Sequence, residues 1–574
     1  MPRFLPALLF LSGVIATASL PACAVDSDGD EATADADFTE GSAEAKAVLA
    51  LVNDRSVKAD ELVNEAKITR AAATNIVARR DQSEIRTLRE LDAVAEVGPS
   101  TISKLFEYAK KKGLFGAAAG SVEVIFSPQV YENGHLARVA REIDSAQKSI
   151  DIAIYSYSDA KVSAALKAAV ARGVKVRFIF NDAGPDARLA DLAARAASTT
   201  GKIEANGVDV RYVNKIMHHK FMLIDGPRDG AAAAKTAKLV TGSANWSNSA
   251  VTRFDENTMF ITGNEELNLR FQREFDLMWE HTKDFVGRDP ALGPDNSSLD
   301  ITDALITDKP NDHVFFTSTN FTVRDTTFSS SGANTVADAL VGGINSATSS
   351  IHIASGHLRS RPVAEALMAK KASNPNLDVR VYLDGQEYIS KTSHDMQVDD
   401  LEACIAAATS DAKKRLCTDR GFLFGYQVAA EGKIDVRYKY YAYRWDHSYA
   451  PQMHHKYMVI DGKDLYSGSY NLSDNAEHET FENMTLWKGP ENAALVKAFE
   501  TNFENIWKTG KDDGKLAALQ AKIASQPTIP IVFEPMALTH AEVTDLKSKI
   551  RTACPAVDST AFRQQAASHQ SCTR

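Results

Sequence analysis

Three phrases decide the fold: MHHKFMLIDG at residues 217–226, LVTGSANWS at 239–247 and FDEN at 254–257. The same grammar returns far downstream as MHHKYMVIDG at 453–462, LYSGSYNLS at 465–473 and TFEN at 480–483. Aligned, the copies pair His218 with His454, Lys220 with Lys456, Asp225 with Asp461, Ser243 with Ser469, Asn245 with Asn471 and Glu256 with Glu482. In both, Asp follows Lys by five residues and Glu follows Asn by eleven. Only the middle differs, because the first copy carries ten extra residues around 227–238.

Alternate residues of a strand share a face, so His218 and Lys220 project into one space while His219 points away. Ser243 and Asn245 stand in the same relation. An imidazole able to act as nucleophile or proton donor thus lies beside an ammonium, a hydroxyl and an amide, all of which bind phosphate oxygens. One copy makes half of such a site. Two facing copies supply both a nucleophile and an acid, and since both sit in one chain a monomer is expected.

The doubled pattern H-x-K-x4-D followed by G-S-x-N resembles the phospholipase D superfamily over roughly residues 121–510. The resemblance implies two pseudo-symmetric α/β sandwich halves with mixed sheets. It implies that His218 attacks phosphorus to give a phosphohistidine and that His454 protonates the leaving alcohol and then activates water. Lys220, Lys456, Asn245 and Asn471 would orient the nonbridging oxygens with support from Ser243 and Ser469, and Glu256 and Glu482 would fix the imidazole tautomers. Asp225 and Asp461 belong to the catalytic motif by resemblance, but their place before Gly at a strand end assigns them mainly to the turn. No metal and no cofactor are expected, since two lysines already supply the positive charge. His219 and His455 read as core or surface residues, and His357 as an ordinary histidine rather than a wall of the site.

Length and composition frame the rest. At 574 residues and 44% hydrophobic the chain is long enough for two to four domains. A net charge of −10 disfavours a protein whose whole surface binds nucleic acid, though it leaves room for a basic cleft. The apolar run after Arg3, ending in LPACA, reads as a secretory signal over residues 1–23. Leu20 to Cys23 resembles a bacterial lipobox with Cys23 as the lipidated residue, which implies a membrane-anchored lipoprotein of the cell envelope; ordinary cleavage, with a secreted or periplasmic product, is the alternative. Four cysteines then remain, an even set for an oxidising compartment, and proximity pairs Cys404 with Cys417 and Cys554 with Cys572.

In chain order, residues 24–45 form an acidic tether, with eight acidic and no basic residues between Val25 and Glu44. Residues 46–115 form a small all-α domain resembling a pair of helix-hairpin-helix motifs. The second hairpin is well formed at Val97-Gly98-Pro99; the first has Ala66-Lys67-Ile68 where a Gly-bearing turn is expected. With 13 Lys and Arg against 10 Asp and Glu, this segment either touches nucleic acid or only packs. Strand-like runs separated by helical ones mark the first half at 121–285. A polar linker follows at 286–311, then the second half at 312–510 with an insertion at 386–430 that carries Cys404 and Cys417. A helical tail with one extended Pro-rich stretch occupies 511–574. The aromatic run Tyr438 to Trp445 either lines a groove or, by default, packs in the core.

The function these readings favour is hydrolysis of phospholipid head groups to phosphatidic acid, with phospholipid and membrane as partners. A nuclease of the same superfamily is the alternative, and a DNA- or protein-binding envelope lipoprotein without turnover is a third.

Overall fold

The strand-like runs recur at period two with apolar residues at almost every position, the pattern of sheets covered on both faces. The computed structural model describes residues 40, 43–55, 57–112, 121–287, 296–306, 312–419, 421–443, 450–511, 514–525, 529–564 and 566. The signal, Cys23, most of the acidic segment, Trp445 and Cys572, and with Cys572 the expected pairing to Cys554, lie outside the described residues.

The chain divides into two compact units, residues 1–115 and 116–574. In the first, five helices run over Ala43–Asn53, Ala59–Asn64, Arg70–Gln82, Leu88–Asp92 and Pro99–Lys111 around an apolar core that includes Leu51, Leu62, Ile76, Leu91 and Leu105. Lys67 (φ 58°), between the second and third helices, and Glu96 (φ 68°), between the fourth and fifth, take the left-handed conformation.

The second unit holds two eight-stranded mixed sheets. Strands β1 (Ser121–Ser127), β2 (Ser149–Ile154), β3 (Lys175–Phe180), β4 (Asp209–Tyr212), β5 (Ile216–Met217), β6 (Lys220–Ile224), β7 (Lys238–Gly242), β8 (Glu256–Thr262) and β9 (Lys283–Asp284) belong to the first half. Their sheet runs β1-β8-β7-β6-β2-β3-β4-β9, with β2, β3 and β4 parallel and the other pairs antiparallel. The second half supplies β10 (Asp312–Phe316), β11 (Phe321–Arg324), β12 (Thr327–Ser330), β13 (Ser350–Ser355), β14 (Asp378–Asp384), β15 (Asp435–Ala442), β16 (Lys456–Ile460), β17 (Asp464–Gly468), β18 (Thr480–Phe481), β19 (Asn483–Trp487) and β20 (Val532–Thr539). Its sheet runs β10-β19-β17-β16-β13-β14-β15-β20, the same order strand for strand.

Alternation along the motif strands explains how the halves join. Phe221 and Leu223 of β6 share one apolar layer with Tyr457 and Val459 of β16, while Met222 and Ile224 face the outer helices of their own half. Full burial of a side chain such as Phe221 stabilises by about 2–3 kcal/mol. Helices Glu265–Glu280 and Ala493–Trp507 complete the shared layer through Phe271, Phe275, Phe499 and Phe503. Asn264 caps the first of these, its side chain accepting from Leu267 N at 3.1 Å.

The ten extra residues of the first half carry Arg228. Its guanidinium reaches the buried Asp151 of β2 at 2.5 Å, and Arg177 meets the same carboxylate at 2.6 Å. In the insertion, helices Lys391–Ala407 and Asp411–Thr418 are joined by the Cys404–Cys417 disulfide, with a Cα–Cα distance of 5.8 Å. The tail differs from the helical expectation. Val532–Thr539 is an edge strand of the second sheet, paired antiparallel with β15, and is followed by helix His540–Ala553. Pro535 is tolerated there because an edge strand has a neighbour on one side only. No described helix is long and apolar enough to cross a membrane.

Candidate active site

Each motif strand begins by pairing with the opposite half. Strand β5 lies parallel to β18 with Met217 opposite Phe481, and His218 N donates to Phe481 O at 3.1 Å. Reciprocally, Met453 bridges Asp255, and His454 N donates to Asp255 O at 3.0 Å. The glutamates follow Phe481 and Asp255 directly, so the pairing carries each one across. Glu482 Oε1 sits 2.7 Å from His218 Nδ1, and Glu256 Oε1 sits 2.8 Å from His454 Nδ1. Every catalytic candidate imidazole is therefore oriented by the carboxylate of the other half.

The lysines complete the cluster. Lys220 Nζ donates to His218 O and Lys456 Nζ to His454 O, both at 2.7 Å, which leaves two N–H bonds of each ammonium for a ligand. The side-chain oxygens of Asn245 and Asn471 are buried and find no partner among the described residues. Ser243 and Ser469, expected among the substrate contacts, stand instead behind the glutamates. Both are fully buried; Ser243 Oγ accepts from Asn257 N at 2.9 Å and Ser469 Oγ from Asn483 N at 3.0 Å. The hydroxyl of Ser243 or Ser469 also lies near enough to its own half's carboxylate, Glu256 or Glu482, to lower its pKa against burial.

Asp225 and Asp461 are corrected from the catalytic set more strongly. Each lies at the far end of a five-residue strand from its lysine, about 16 Å away at the usual rise. Both take positive φ, 51° and 54°. Asp225 accepts from Lys148 N at 2.6 Å and Ser149 N at 3.0 Å, and Asp461 from Ser349 N at 2.7 Å and Ser350 N at 2.9 Å. They tie the start of β2 and β13 to the end of the motif strand. Burial raises the Asp461 pKa, but the bonds from Thr348, Ser350 and Ser349 outweigh it and hold the carboxyl well below its ordinary range.

Several residues of the site carried no signal that the sequence reading used. Asn257 and Asn483, the last letters of FDEN and TFEN, reach across to the second histidines: Asn257 Nδ2 is 3.1 Å from His455 Nδ1 and Asn483 Nδ2 is 3.0 Å from His219 Nδ1. Their oxygens accept from Ser467 at 3.1 Å and Thr241 at 3.2 Å, again from the opposite half. His219 and His455 are thus core residues that lock the halves together beneath the site. The repeated Asn was visible in the motif. Tyr155 was not; its ring lies 4.7 Å from the His218 ring, and Lys220 Nζ is 5.4 Å from its centroid. His357, read as an ordinary residue, is near enough to bear on both catalytic candidates, and its Nδ1 is 2.8 Å from Glu387. It lines a cavity of about 340 Å³ with Arg359, Asn471 and Asp474, to which Asp419 and Gly421, two and four residues after Cys417, also contribute. Of the aromatic run, Tyr438, Tyr440, Tyr441 and Tyr443 are buried.

Burial drives the electrostatics. It holds His218 and His454 well below the ordinary histidine value, and the charges of Lys220 and Lys456 push the same way. It raises Glu256 and Glu482 to about 7 and lowers Lys220 to about 7 and Lys456 to about 8. A neutral imidazole that carries its proton on Nδ1, the nitrogen beside the carboxylate, presents the Nε2 lone pair to a ligand. The imidazoles and ammonium groups of both halves feel one another's charge, and such a cluster suits an anionic tetrahedral group. Among the described residues, no group of three or more His, Cys, Asp and Glu could hold a metal ion.

Comparison with known proteins agrees with this geometry. The family model "Cardiolipin synthase, PLD-like domain" matches residues 139–279 and 340–507, together more than half of the chain. Mitochondrial cardiolipin hydrolases are similar to part of it: that of Danio rerio is 33% identical over 147 residues, covering 25% of this chain and 56% of the relative, and that of Homo sapiens is 29% identical over 147 residues, covering 25% and 51%. The chain thus spans about half the length of the curated relatives it matches. Among solved structures, the phospholipase D family member Nuc of Salmonella typhimurium is 29% identical, covering 29% of this chain and 97% of that one at a TM-score of 0.24. Phosphatidylserine synthase of Haemophilus influenzae is 12% identical, covering 67% and 85% at a TM-score of 0.42. With both motif copies inside the matched segments and their histidines brought to one place, the chain belongs to the phospholipase D superfamily.

Proposed function

We propose that the protein is a phospholipase D-type phosphodiesterase that hydrolyses phospholipid head groups to phosphatidic acid through a phosphohistidine. The observation that carries the reading is the crossed pairing of His218 with Glu482 and His454 with Glu256. His218 Nε2 attacks phosphorus as the P–O bond to the head-group alcohol breaks, and His454 gives that oxygen its proton. Water then attacks the phosphohistidine, His454 takes a proton from it, and the P–N bond breaks to free His218. A bound phosphodiester anion offsets the charge of Lys220 and Lys456, which raises the tendency of His454 to hold the proton it must donate. Lys220, Lys456, Asn245 and Asn471 bind the nonbridging oxygens, on which charge grows in the transition state. The relatives named as cardiolipin hydrolases support a phospholipid substrate.

The test is turnover of phosphatidylcholine, phosphatidylethanolamine and plasmid DNA by purified protein in EDTA, with trapping of the acid-labile phosphohistidine. Phospholipid hydrolysis lost in both His218→Ala and His454→Ala, the double variant being little worse, is expected. Cleavage of DNA with every phospholipid untouched would replace this reading with the nuclease, and the hairpin unit at 46–115 would then be its candidate contact. Location in the envelope through lipid on Cys23 is part of the proposal: Cys23→Ser should release the protein from the membrane fraction, and unchanged retention would refute the anchor.

A further inference from the structure

The two histidine segments begin alike but are not held alike. His218 follows a two-residue ladder, Ile216 and Met217 paired with Thr480 and Phe481. His454 follows a single bridge, Met453 with Asp255. With less ladder to fix it, the second segment leans on two acidic residues. Asp384, at the end of β14, accepts from Met453 N at 2.8 Å, and the backbone oxygen of Asp255 accepts from His454 N at 3.0 Å.

Lys439 of β15 serves both acids. It stands opposite Asp384 in the parallel pairing of β14 with β15, and its Nζ meets the Asp255 carboxylate at 2.8 Å. All three side chains are buried. Burial raises Asp384 to about 7, against the amides of Gln386 and Met453 and the charge of Lys439. Strand register and the repeated motif identify the counterparts in the first half: Asn181 for Asp384, Val213 for Lys439 and Phe481 for Asp255. Asn181 Oδ1 accepts from Met217 N at 3.3 Å, so the neutral set makes the same backbone contact at a longer distance.

A buried ion pair adds little net stability over apolar side chains of similar size, so stability does not account for charge in one half and its absence in the other. The chemistry does. In the proposed reaction His218 is fixed by its own bond to phosphorus, whereas His454 must deliver a proton and later recover one while held by noncovalent contacts alone. Glu256, which orients His454, is the residue after Asp255.

We propose that Lys439 is a positioning residue of the proton-transfer half: through Asp255 and Asp384 it holds His454 and Glu256 in line, a task the first half does without. The inference rests on the phosphodiesterase reading for the step it serves, not for the clamp itself.

The test compares single-turnover phosphohistidine formation from a p-nitrophenyl diester, whose leaving group departs without a proton, and from an alkyl diester, whose leaving group needs one. Asp255→Phe with Lys439→Val writes the first half's residues into the second and leaves neither charge of the pair alone. It should slow the alkyl substrate by roughly tenfold to a hundredfold, part of what general acid catalysis contributes, and leave the p-nitrophenyl substrate nearly unchanged. Asp255→Asn with Lys439→Met, a smaller change in volume, carries the same expectation, and Lys439→Arg, which keeps the charge, should stay close to the wild type. In nitrogen NMR of labelled histidines, His454 should lose its single Nδ1-protonated form in either double variant while His218 keeps its own. An unchanged ratio of the two rates, whether or not both fall, would overturn the proposal. If the wild type turns over neither diester, the phosphodiesterase reading fails by itself; a His454 signal that still changes alone would keep the clamp, and one that does not change would overturn it.

Discussion

Glu482→Gln tests the crossed geometry most directly. The carboxylate is fully buried with Oε1 2.7 Å from His218 Nδ1, and the substitution keeps its shape while removing its charge. With charge centres about 4.5 Å apart and an effective dielectric near 20, the attraction lost when the imidazole becomes cationic is about 4 kcal/mol. That corresponds to roughly a hundredfold to a thousandfold in the rate of phosphohistidine formation. The assay is single-turnover kinetics with two leaving groups. A p-nitrophenyl diester leaves without a proton, so His454 and its Glu256 contribute little to the first step, whereas an alkyl diester needs both. Glu482→Gln should slow phosphohistidine formation from both substrates, and Glu256→Gln should slow it only from the alkyl one. The reasoning fails if Glu256→Gln, the change in His218's own half, is the one that slows the p-nitrophenyl reaction.

Other expectations follow from groups away from the reacting atom. Asp461→Ala should lower stability by about 1–3 kcal/mol through its lost charge-assisted bonds, read as a shifted denaturation midpoint, while the kcat of the remaining folded enzyme holds. Because its folded pKa is depressed, that contribution is present above its ordinary value of 3.8 and is lost as pH falls below it. The site cluster gives a stability minimum near pH 7. Glu256 and Glu482, raised from 4.5 to about 7, make the folded state bind more protons than the unfolded chain over that window, so stability falls with rising pH. Lys220 and Lys456, lowered from 10.5 to about 7 and 8, do the reverse above it. Thermal melts against pH should show both limbs, and Lys220→Met should flatten the alkaline one. Cys404→Ser with Cys417→Ser should raise KM, since Asp419 and Gly421 wall the cavity beside Asn471; an unchanged KM would place the insertion outside substrate binding.

The doubled motif made the architecture legible because each half repeats its strands in one order and carries its polar residues at fixed offsets. His218, Lys220 and their counterparts are brought together, as the two-apart spacing requires. The crossing of Glu256 and Glu482 was not legible, since offsets within a copy are identical whether the carboxylate serves its own histidine or the other one. Only the pairing of β5 with β18 decides it. Ser243 and Ser469 have the composition of phosphate ligands, but they are fully buried and bond the backbone of Asn257 and Asn483. Tyr155 stands at a strand end with no partner at its place in the second copy, where Gly356 occurs, so the repeat hid it. Strand β20 escaped because Pro535 argues against a central strand and says nothing against an edge.

The two halves share one backbone plan but not one surface. Were this site built by two identical chains, any addition at its mouth would appear twice, once on each side. Here the disulfide-held insertion rises beside His357 and Asn471 on the second half alone, and the first half answers with Tyr155. A phosphodiester bound as proposed would meet residues of the insertion on one flank and Tyr155 on the other. Its two ester arms are thereby distinguishable before any bond breaks, and covalent linkage of the halves is what makes that polarity inheritable.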